Sequence, residues 1–179
     1  DTTCFAFVGD STFFASAITG VVNAVYNQAN MVLVVLDNST TAMTGHQPHP
    51  GTGRTVMGEI VQKINIEQVL RGIGVTEIET INPLELEASV SCVKRMAEKS
   101  GVRAIIFKAP CIAVTKPKAP LHVDQDSCIG CKKCIRDLGC PAIVMNDGKI
   151  CIDASMCTGC HLCSQVCPVC AIAGGDDHE

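Results

Sequence analysis

The sequence predicts an α/β domain with a parallel sheet, followed by a small α+β module organised by cysteines. Three observations predict it. Strand-length apolar runs alternate with segments of helical period up to roughly residue 110. Eight of the thirteen cysteines then fall into two tandem runs near the C-terminus. Between these regions Pro110, Pro117 and Pro120, with Lys116 and Lys118 among them, mark a hinge. A chain of 179 residues agrees with one medium and one small domain. Their expected spans are 1–115 and 116–179.

The first element is a short apolar run, Cys4-Phe5-Ala6-Phe7-Val8, which reads as a strand closed by Gly9-Asp10-Ser11. Apolar residues at Phe13, Phe14, Ala17, Ile18, Val21, Val22 and Val25 then give a helix beginning near Thr12. Met31-Val32-Leu33-Val34-Val35-Leu36 is almost continuously apolar, as a strand buried on both faces requires, and it ends in Asp37-Asn38. The unit is βαβ. Further on, Val75 to Ile81 alternates as a strand. Leu84 to Lys99 carries Leu86, Val90, Val93 and Ala97 at helical spacing, and Val102 to Phe107 is again a buried strand.

The cysteine runs are Cys128-x2-Cys131-x2-Cys134-x5-Cys140-Pro141 and Cys157-x2-Cys160-x2-Cys163-x3-Cys167-Pro168. The second has the spacing of a bacterial [4Fe–4S] site, in which three thiolates hold one cube and the Cys-Pro cysteine serves the other. This assigns Cys128, Cys131, Cys134 and Cys167 to one cluster, and Cys157, Cys160, Cys163 and Cys140 to a second. Structural zinc has no use for a third cysteine two residues beyond a C-x2-C pair, nor for the proline. A disulfide framework needs an oxidising compartment, and no signal-like segment opens the chain, so it reads as cytoplasmic.

The runs belong to an internal repeat. Val123-Asp124-Gln125-Asp126-Ser127-Cys128 and Ile152-Asp153-Ala154-Ser155-Met156-Cys157 share an offset, and the units end in Pro141-Ala142-Ile143 and Cys170-Ala171-Ile172. Each unit is expected to be strand, cluster loop, short helix and strand. Metal then supplies the core that so few residues cannot. Ile135-Arg136-Asp137-Leu138-Gly139 is an extension of the first unit, expected to bulge the helix after Cys134. Cys4 and Cys92 are expected as buried small hydrophobes. Cys151 and Cys170 lie near the clusters, with packing as their expected role. His161 either tunes a cluster or is a surface side chain.

A net charge of −4 argues against a nucleic-acid surface, and no apolar run approaches the length of a membrane span. With no tryptophan and one tyrosine, base-stacking platforms are not expected.

Gly9-Asp10 and Asp37-Asn38 close neighbouring strands, so they emerge together at the carboxyl edge of the sheet, where ligands bind in such folds. A carboxylate and an amide oxygen there suit a Mg²⁺ ion that also holds diphosphate oxygens, and the following helix turns its amides toward the same place. The competing role for Asp10 is to cap a turn or a helix.

Gly9-Asp10-Ser11 through Asn38 resembles the thiamine diphosphate motif, normally Gly-Asp-Gly followed later by Asn. The stretch Asn38-Ser39-Thr40-Thr41-Ala42-Met43-Thr44-Gly45-His46-Gln47-Pro48-His49-Pro50-Gly51-Thr52-Gly53 resembles the large subunit of the indolepyruvate:ferredoxin oxidoreductases, whose C-terminal end also carries two ferredoxin-like clusters. The resemblance covers essentially the whole chain. It implies a parallel-sheet domain for thiamine diphosphate ahead of a two-[4Fe–4S] ferredoxin-like domain. Asp10, Asn38 and a backbone oxygen near Thr40 would ligate Mg²⁺. Gly9, Ser11, Thr41, Met43, Thr44 and Gly45 would lie along the cofactor, with Ser11 standing where the motif has its last glycine. His46 and His49 would either transfer protons near the substrate or order a Pro-rich loop.

The activity it implies is oxidative decarboxylation of indolepyruvate and other arylpyruvates to arylacetyl-coenzyme A, with electrons leaving through the clusters to ferredoxin. The partners implied are a smaller β subunit, an external ferredoxin, coenzyme A and the arylpyruvate, with no nucleic acid and no membrane. Pyruvate or another 2-oxoacid is the alternative substrate, and an iron–sulfur electron-transfer protein without thiamine chemistry is the alternative function. The aminopyrimidine-binding domain and its activating glutamate are not in these residues, so the chain is expected to be a C-terminal fragment, inactive alone.

Overall fold

A computed structural model describes residues 3–174. They fall into two compact units divided between Val114 and Thr115.

The first unit is built on a four-stranded, all-parallel sheet in the order β1-β2-β4-β3. β1 (Cys4–Gly9) leads directly into α1 (Asp10–Thr12), a π-helical stretch (Phe13–Ala17) and α2 (Ile18–Tyr26), so the helix starts at Asp10 rather than Thr12. The chain returns through β2 (Met31–Asp37) beside β1. A long loop then leads to α3 (Ile66–Ile73), β3 (Glu77–Ile81), α4 (Leu86–Glu98) and β4 (Val102–Lys108), which inserts between β2 and β3.

Strand side chains alternate between faces, so β2 feeds two cores. Leu33 and Val35 pack with Phe13, Val21, Ile66 and Leu70 on one side, while Val32 and Val34 pack with Cys92 and Met96 of α4 on the other. Cys92 is therefore the buried small hydrophobe expected of it.

Four expectations are corrected here. Cys4 is exposed, because β1 is the edge strand. Its register sets Phe5 and Phe7 opposite Val32 and Val34, yet α4 packs over β3 and β4, and Phe7 remains 68% exposed. The buried side of α4 runs through Ser89, Cys92 and Met96, leaving Val90 outside. Val75 belongs to no strand; it follows the left-handed Gly74 that caps α3 and drops into the core. The helix α3 was not expected at all.

In the second unit β5 (Leu121–Val123) pairs antiparallel with β8 (Ile172–Gly174), and β6 (Ile143–Asn146) with β7 (Lys149–Ile152). Each pair takes one strand from each repeat. The repeat is reproduced bond for bond: Cys128 and Cys157 donate their N–H to the carbonyls of Asp124 and Asp153, each at 3.0 Å. Asp124 and Asp153 in turn donate theirs to Ala171 and Ala142 of the opposite repeat, each at 2.8 Å. α5 (Lys133–Leu138) and α6 (Leu162–Val166) follow the cluster loops. The extension of the first repeat makes no bulge. It lengthens α5 and is closed by a left-handed Gly139 just before Cys140.

Candidate functional site

At the carboxyl edge of the first sheet, Gly9 and Leu36 are register partners, and so are Asp37 and Lys108. The loops leaving β1 and β2 are thereby set side by side. Asp10 is buried, and its carboxylate receives three donors. Ser11 N–H donates to Oδ1 at 2.8 Å, Ser39 N–H to Oδ2 at 2.8 Å, and His49 Nε2 lies 3.1 Å from the same Oδ2. Burial pushes the carboxyl up from its ordinary value; the Ser11 N–H and the His49 ring pull it back, and nearby Asp37 pushes it up.

The loop after β2 is held by its own side chains. Ser39 takes a left-handed conformation, and its N–H also donates to Asp37 Oδ1 at 3.0 Å. Asn38 Oδ1 accepts the Thr40 N–H at 3.2 Å, forming an Asx turn, and Thr40 is buried. The Thr41 hydroxyl donates to Ser11 Oγ at 2.9 Å, which gives the serine in the glycine position a use of its own. The segment from Thr41 to Gln47 closes on itself, with Thr41 N–H donating to the Gln47 carbonyl at 3.1 Å and His46 N–H to that of Thr41 at 3.0 Å. A left-handed Gly45 follows the short 3-10 turn Ala42–Thr44. Met43 at its outer side is fully exposed, and His46 is exposed as well. Beside His49, a cleft of ≈ 500 Å³ runs past Asp37, Lys108 and the start of α3.

These residues fit a divalent cation with a diphosphate. A carboxylate offers about four lone-pair positions, and Asp10 has three in use. The amide oxygen of Asn38 has one of its two committed. Both are hard oxygen donors at adjacent strand ends, the type Mg²⁺ takes. His49 stands apart from the expectation that paired it with His46: its ring is buried against Asp10, and both nitrogens are engaged within the protein.

In the second unit, Cys128, Cys131, Cys134 and Cys167 line one cavity, with Val123, Ile129, Ile150 and Ile172 among its apolar walls. A cube needs four thiols spread round an apolar chamber, so this set fits one. Burial pushes the Cys134 thiol up, and the Cys131 and Cys167 sulfurs nearby add to the effect. The Cys163 thiol is pushed up to about 11, by burial first and then by Cys160, Cys157 and Cys140. The electrostatic neighbours thus fall into the same two crossed groups as the sequence assignment. Backbone amides point at two of these sulfurs: Ala171 N–H at Cys167 Sγ, 3.3 Å, and Leu121 N–H at Cys157 Sγ, 3.5 Å. Among the described residues, no three His, Cys, Asp or Glu side chains converge closely enough for a single metal ion. His161 Nε2 is enclosed without a partner among the described residues, while Cys170 is exposed and Cys151 half-buried in β7.

Residues 1–107 match the family described as thiamine pyrophosphate enzyme, C-terminal TPP binding domain. The chain belongs to the thiamine pyrophosphate enzymes. Residues 121–168 match the 4Fe-4S dicluster domain, so this member carries a cofactor-binding domain and a cluster domain in one polypeptide. It is 46% identical over 169 residues to the indolepyruvate oxidoreductase subunit IorA of Methanothermobacter thermautotrophicus, covering 93% of this chain and 27% of that one. It is 40% identical over 173 residues to the IorA of Archaeoglobus fulgidus, covering 93% and 28% respectively. The chain therefore spans little more than a quarter of the length of these relatives. Among solved structures, a thiamin diphosphate-dependent enzyme from Mycobacterium smegmatis overlaps with 62% of this chain and 18% of its own at TM-score 0.44 and 21% identity. No helix among the described residues is long and apolar enough to cross a membrane.

Proposed function

We propose that this chain is the diphosphate-binding and electron-conducting part of a 2-oxoacid:ferredoxin oxidoreductase that oxidatively decarboxylates indolepyruvate and related arylpyruvates to arylacetyl-coenzyme A. The observation that carries the reading is the presence, in one chain, of a buried carboxylate at a thiamine pyrophosphate domain's sheet edge and of a two-cluster iron–sulfur domain. The names of the relatives, subunits of indolepyruvate oxidoreductases, support an indolepyruvate substrate and a second subunit as partner; the cluster domain supports a one-electron carrier such as ferredoxin as acceptor.

When bound, thiamine pyrophosphate supplies the carbon nucleophile that releases CO₂ from a 2-oxoacid, and iron–sulfur clusters take up electrons one at a time. The residues of this chain hold and wire these groups. Asp10, Asn38 and the Thr40 carbonyl are the proposed Mg²⁺ ligands, Gly9 and Ser11 border the diphosphate, and the loop from Thr41 through Met43, Thr44 and Gly45 covers it. Cys128, Cys131, Cys134 and Cys167 hold one cube; Cys157, Cys160, Cys163 and Cys140 hold the other. Of the two histidines, His46 is the one exposed on the covering loop, and the proposed proton transfer near the substrate is assigned to it. The division of labour is proposed at 115/116, one residue beyond the boundary between the two compact units, and the proposed site of action is the cytoplasm, where thiolates stay reduced.

The test is ferredoxin reduction by the complete enzyme, anaerobically, with coenzyme A and each of indolepyruvate, phenylpyruvate and pyruvate. Faster reduction with the two aryl substrates is expected. Reduction with pyruvate alone would move the substrate class. Intact clusters without any Mg²⁺-dependent thiamine pyrophosphate binding would leave an electron-transfer protein.

A further inference from the structure

His49 and Gly51 lie on the loop after β2, 39 residues and more beyond Asp10 in sequence, yet the fold brings the His49 ring to the buried carboxylate. The proton position on that ring follows from a backbone group. Gly51 N–H, which can only donate, points at His49 Nδ1 from 3.1 Å, so Nδ1 is an acceptor and carries no hydrogen. The ring hydrogen is then on Nε2, where it is donated to Asp10 Oδ2 at 3.1 Å. Histidine here is a donor to a carboxylate with its tautomer set by the other nitrogen, an arrangement that orients ligands around metals generally.

The ring is fixed on its faces as well. Phe14 stacks on it with centroids 5.8 Å apart and planes at 30°. Phe14 comes immediately after Phe13 in the π-helical stretch that follows Asp10, and Phe13 is wholly buried in the core. The wider turn lets neighbouring residues serve both places, a use π-turns have at functional sites. The loop is locked behind the ring by Thr52, whose hydroxyl donates to the His49 carbonyl at 2.8 Å, and by Ile64 N–H donating to the Pro50 carbonyl at 2.9 Å. This much fixing serves one carboxylate oxygen. With Oδ2 taken by His49 and the Ser39 N–H, and Oδ1 by the Ser11 N–H, Asp10 is left with a single acceptor direction, on Oδ1.

We infer that His49 is a positioning residue, which holds the Asp10 carboxylate as a preformed ligand for the divalent cation of thiamine pyrophosphate. The inference rests on the proposed role of Asp10 as a ligand to that cation. It gives His49 no contact with the substrate and no proton-transfer step.

The experiment measures Mn²⁺ binding to the complete enzyme in the presence of thiamine pyrophosphate, with free Mn²⁺ quantified by paramagnetic resonance. His49→Phe keeps a stacked ring and loses the donor; Mn²⁺ affinity should fall about tenfold or more, as for other groups that orient metal ligands. Iron content should stay near that of the unmodified protein, while the thermal midpoint of the first unit falls modestly, since Asp10 loses a donor and the Gly51 N–H an acceptor. His49→Gln can donate to Asp10 and accept from Gly51, and should recover most of the affinity. Unchanged Mn²⁺ binding in His49→Phe, or equal weakening in His49→Gln, overturns the inference. Asp10→Asn separates the underlying reading: it should bind Mn²⁺ far more weakly, and unchanged affinity there removes Asp10 from the metal site whatever His49 does. If His49→Phe does not fold, Phe14→Leu decides, since it frees the ring while leaving every polar partner. It should weaken Mn²⁺ binding by a smaller factor, and no weakening overturns the inference.

Discussion

Gly51 is limited by space and not by backbone angle. A Cβ on it would lie 2.9 Å from Phe14 Cε2 and 3.0 Å from His49 Cε1, inside the distances real Cβ atoms keep, and both rings are part of a packed stack. Gly51→Ala should therefore destabilise the first unit by about 1–3 kcal/mol, the usual cost of overpacking, measured by chemical denaturation followed by circular dichroism. A variant as stable as the parent would mean the stack yields freely. Cys92 offers a second test. Burial, and then Glu79, push its thiol up from 9.0 to about 11. Between those values the unfolded chain releases a proton that the folded one keeps, so this contribution is intact below pH 9 and is lost as pH rises toward 11. Replacing the thiol removes the titration: Cys92→Ala should be less stable at pH 7, and its stability should fall less steeply than the parent's from pH 9 to 11. Parallel alkaline limbs would show another group to be responsible.

At the scale of elements, what the sequence disclosed depended on whether an element's signal was local. β2 is legible because a strand buried on both faces must be apolar throughout, and Val32 to Val35 are all buried. α3 was equally legible and was missed. Ile66, Val69, Leu70 and Ile73 repeat at helical spacing, Asn65 caps Gln68 N–H at 3.1 Å, Glu67 pairs with Arg71, and the left-handed Gly74 stops the helix. Two turns between a long loop and a strand give a short pattern, and Val75 beyond the cap continued the apolar run into what read as a strand. His49 had no local signal for its role, since its partner is a tertiary contact; nor had the buried side of α4, which a serine and a cysteine help to form. The cysteine runs were legible because metal ligation needs fixed spacing. The crossed pairing proposed for them has a counterpart in strands exchanged between repeats, β5 with β8 and β6 with β7. Cys140→Ala should accordingly damage the cube of Cys157, Cys160 and Cys163 and spare that of Cys128, Cys131 and Cys134. Paramagnetic resonance of the anaerobically reduced protein, counting the two clusters separately, checks it. Loss of the other cube would mean that each run closes on itself.

At the scale of the molecule, the two units use different physics. The first draws its stability from two apolar layers on a parallel sheet. The second is small, and its buried residues include the thiols themselves: Cys134 and Cys163 are buried, as are Ala142, Ile143, Val166 and Ile172. Burial first, and then neighbouring cysteines, push both thiols up, and a thiol must give up its proton to hold iron, so metal binding and folding are coupled there in a way they are not in the first unit. A change in the Asp10 site should therefore leave the clusters alone. Asp10→Ala in the complete enzyme should abolish thiamine pyrophosphate-dependent reduction of ferredoxin, while iron per chain and the reduced-cluster spectrum match those of the parent. The buried cavity left by the carboxylate is expected to lower the first unit's stability as well, since Ser11, Ser39 and His49 each lose an acceptor. Iron content is the measurement that separates the outcomes. If it falls in step with activity, the chain folds as one cooperative body, and the division between Val114 and Thr115 is geometric only.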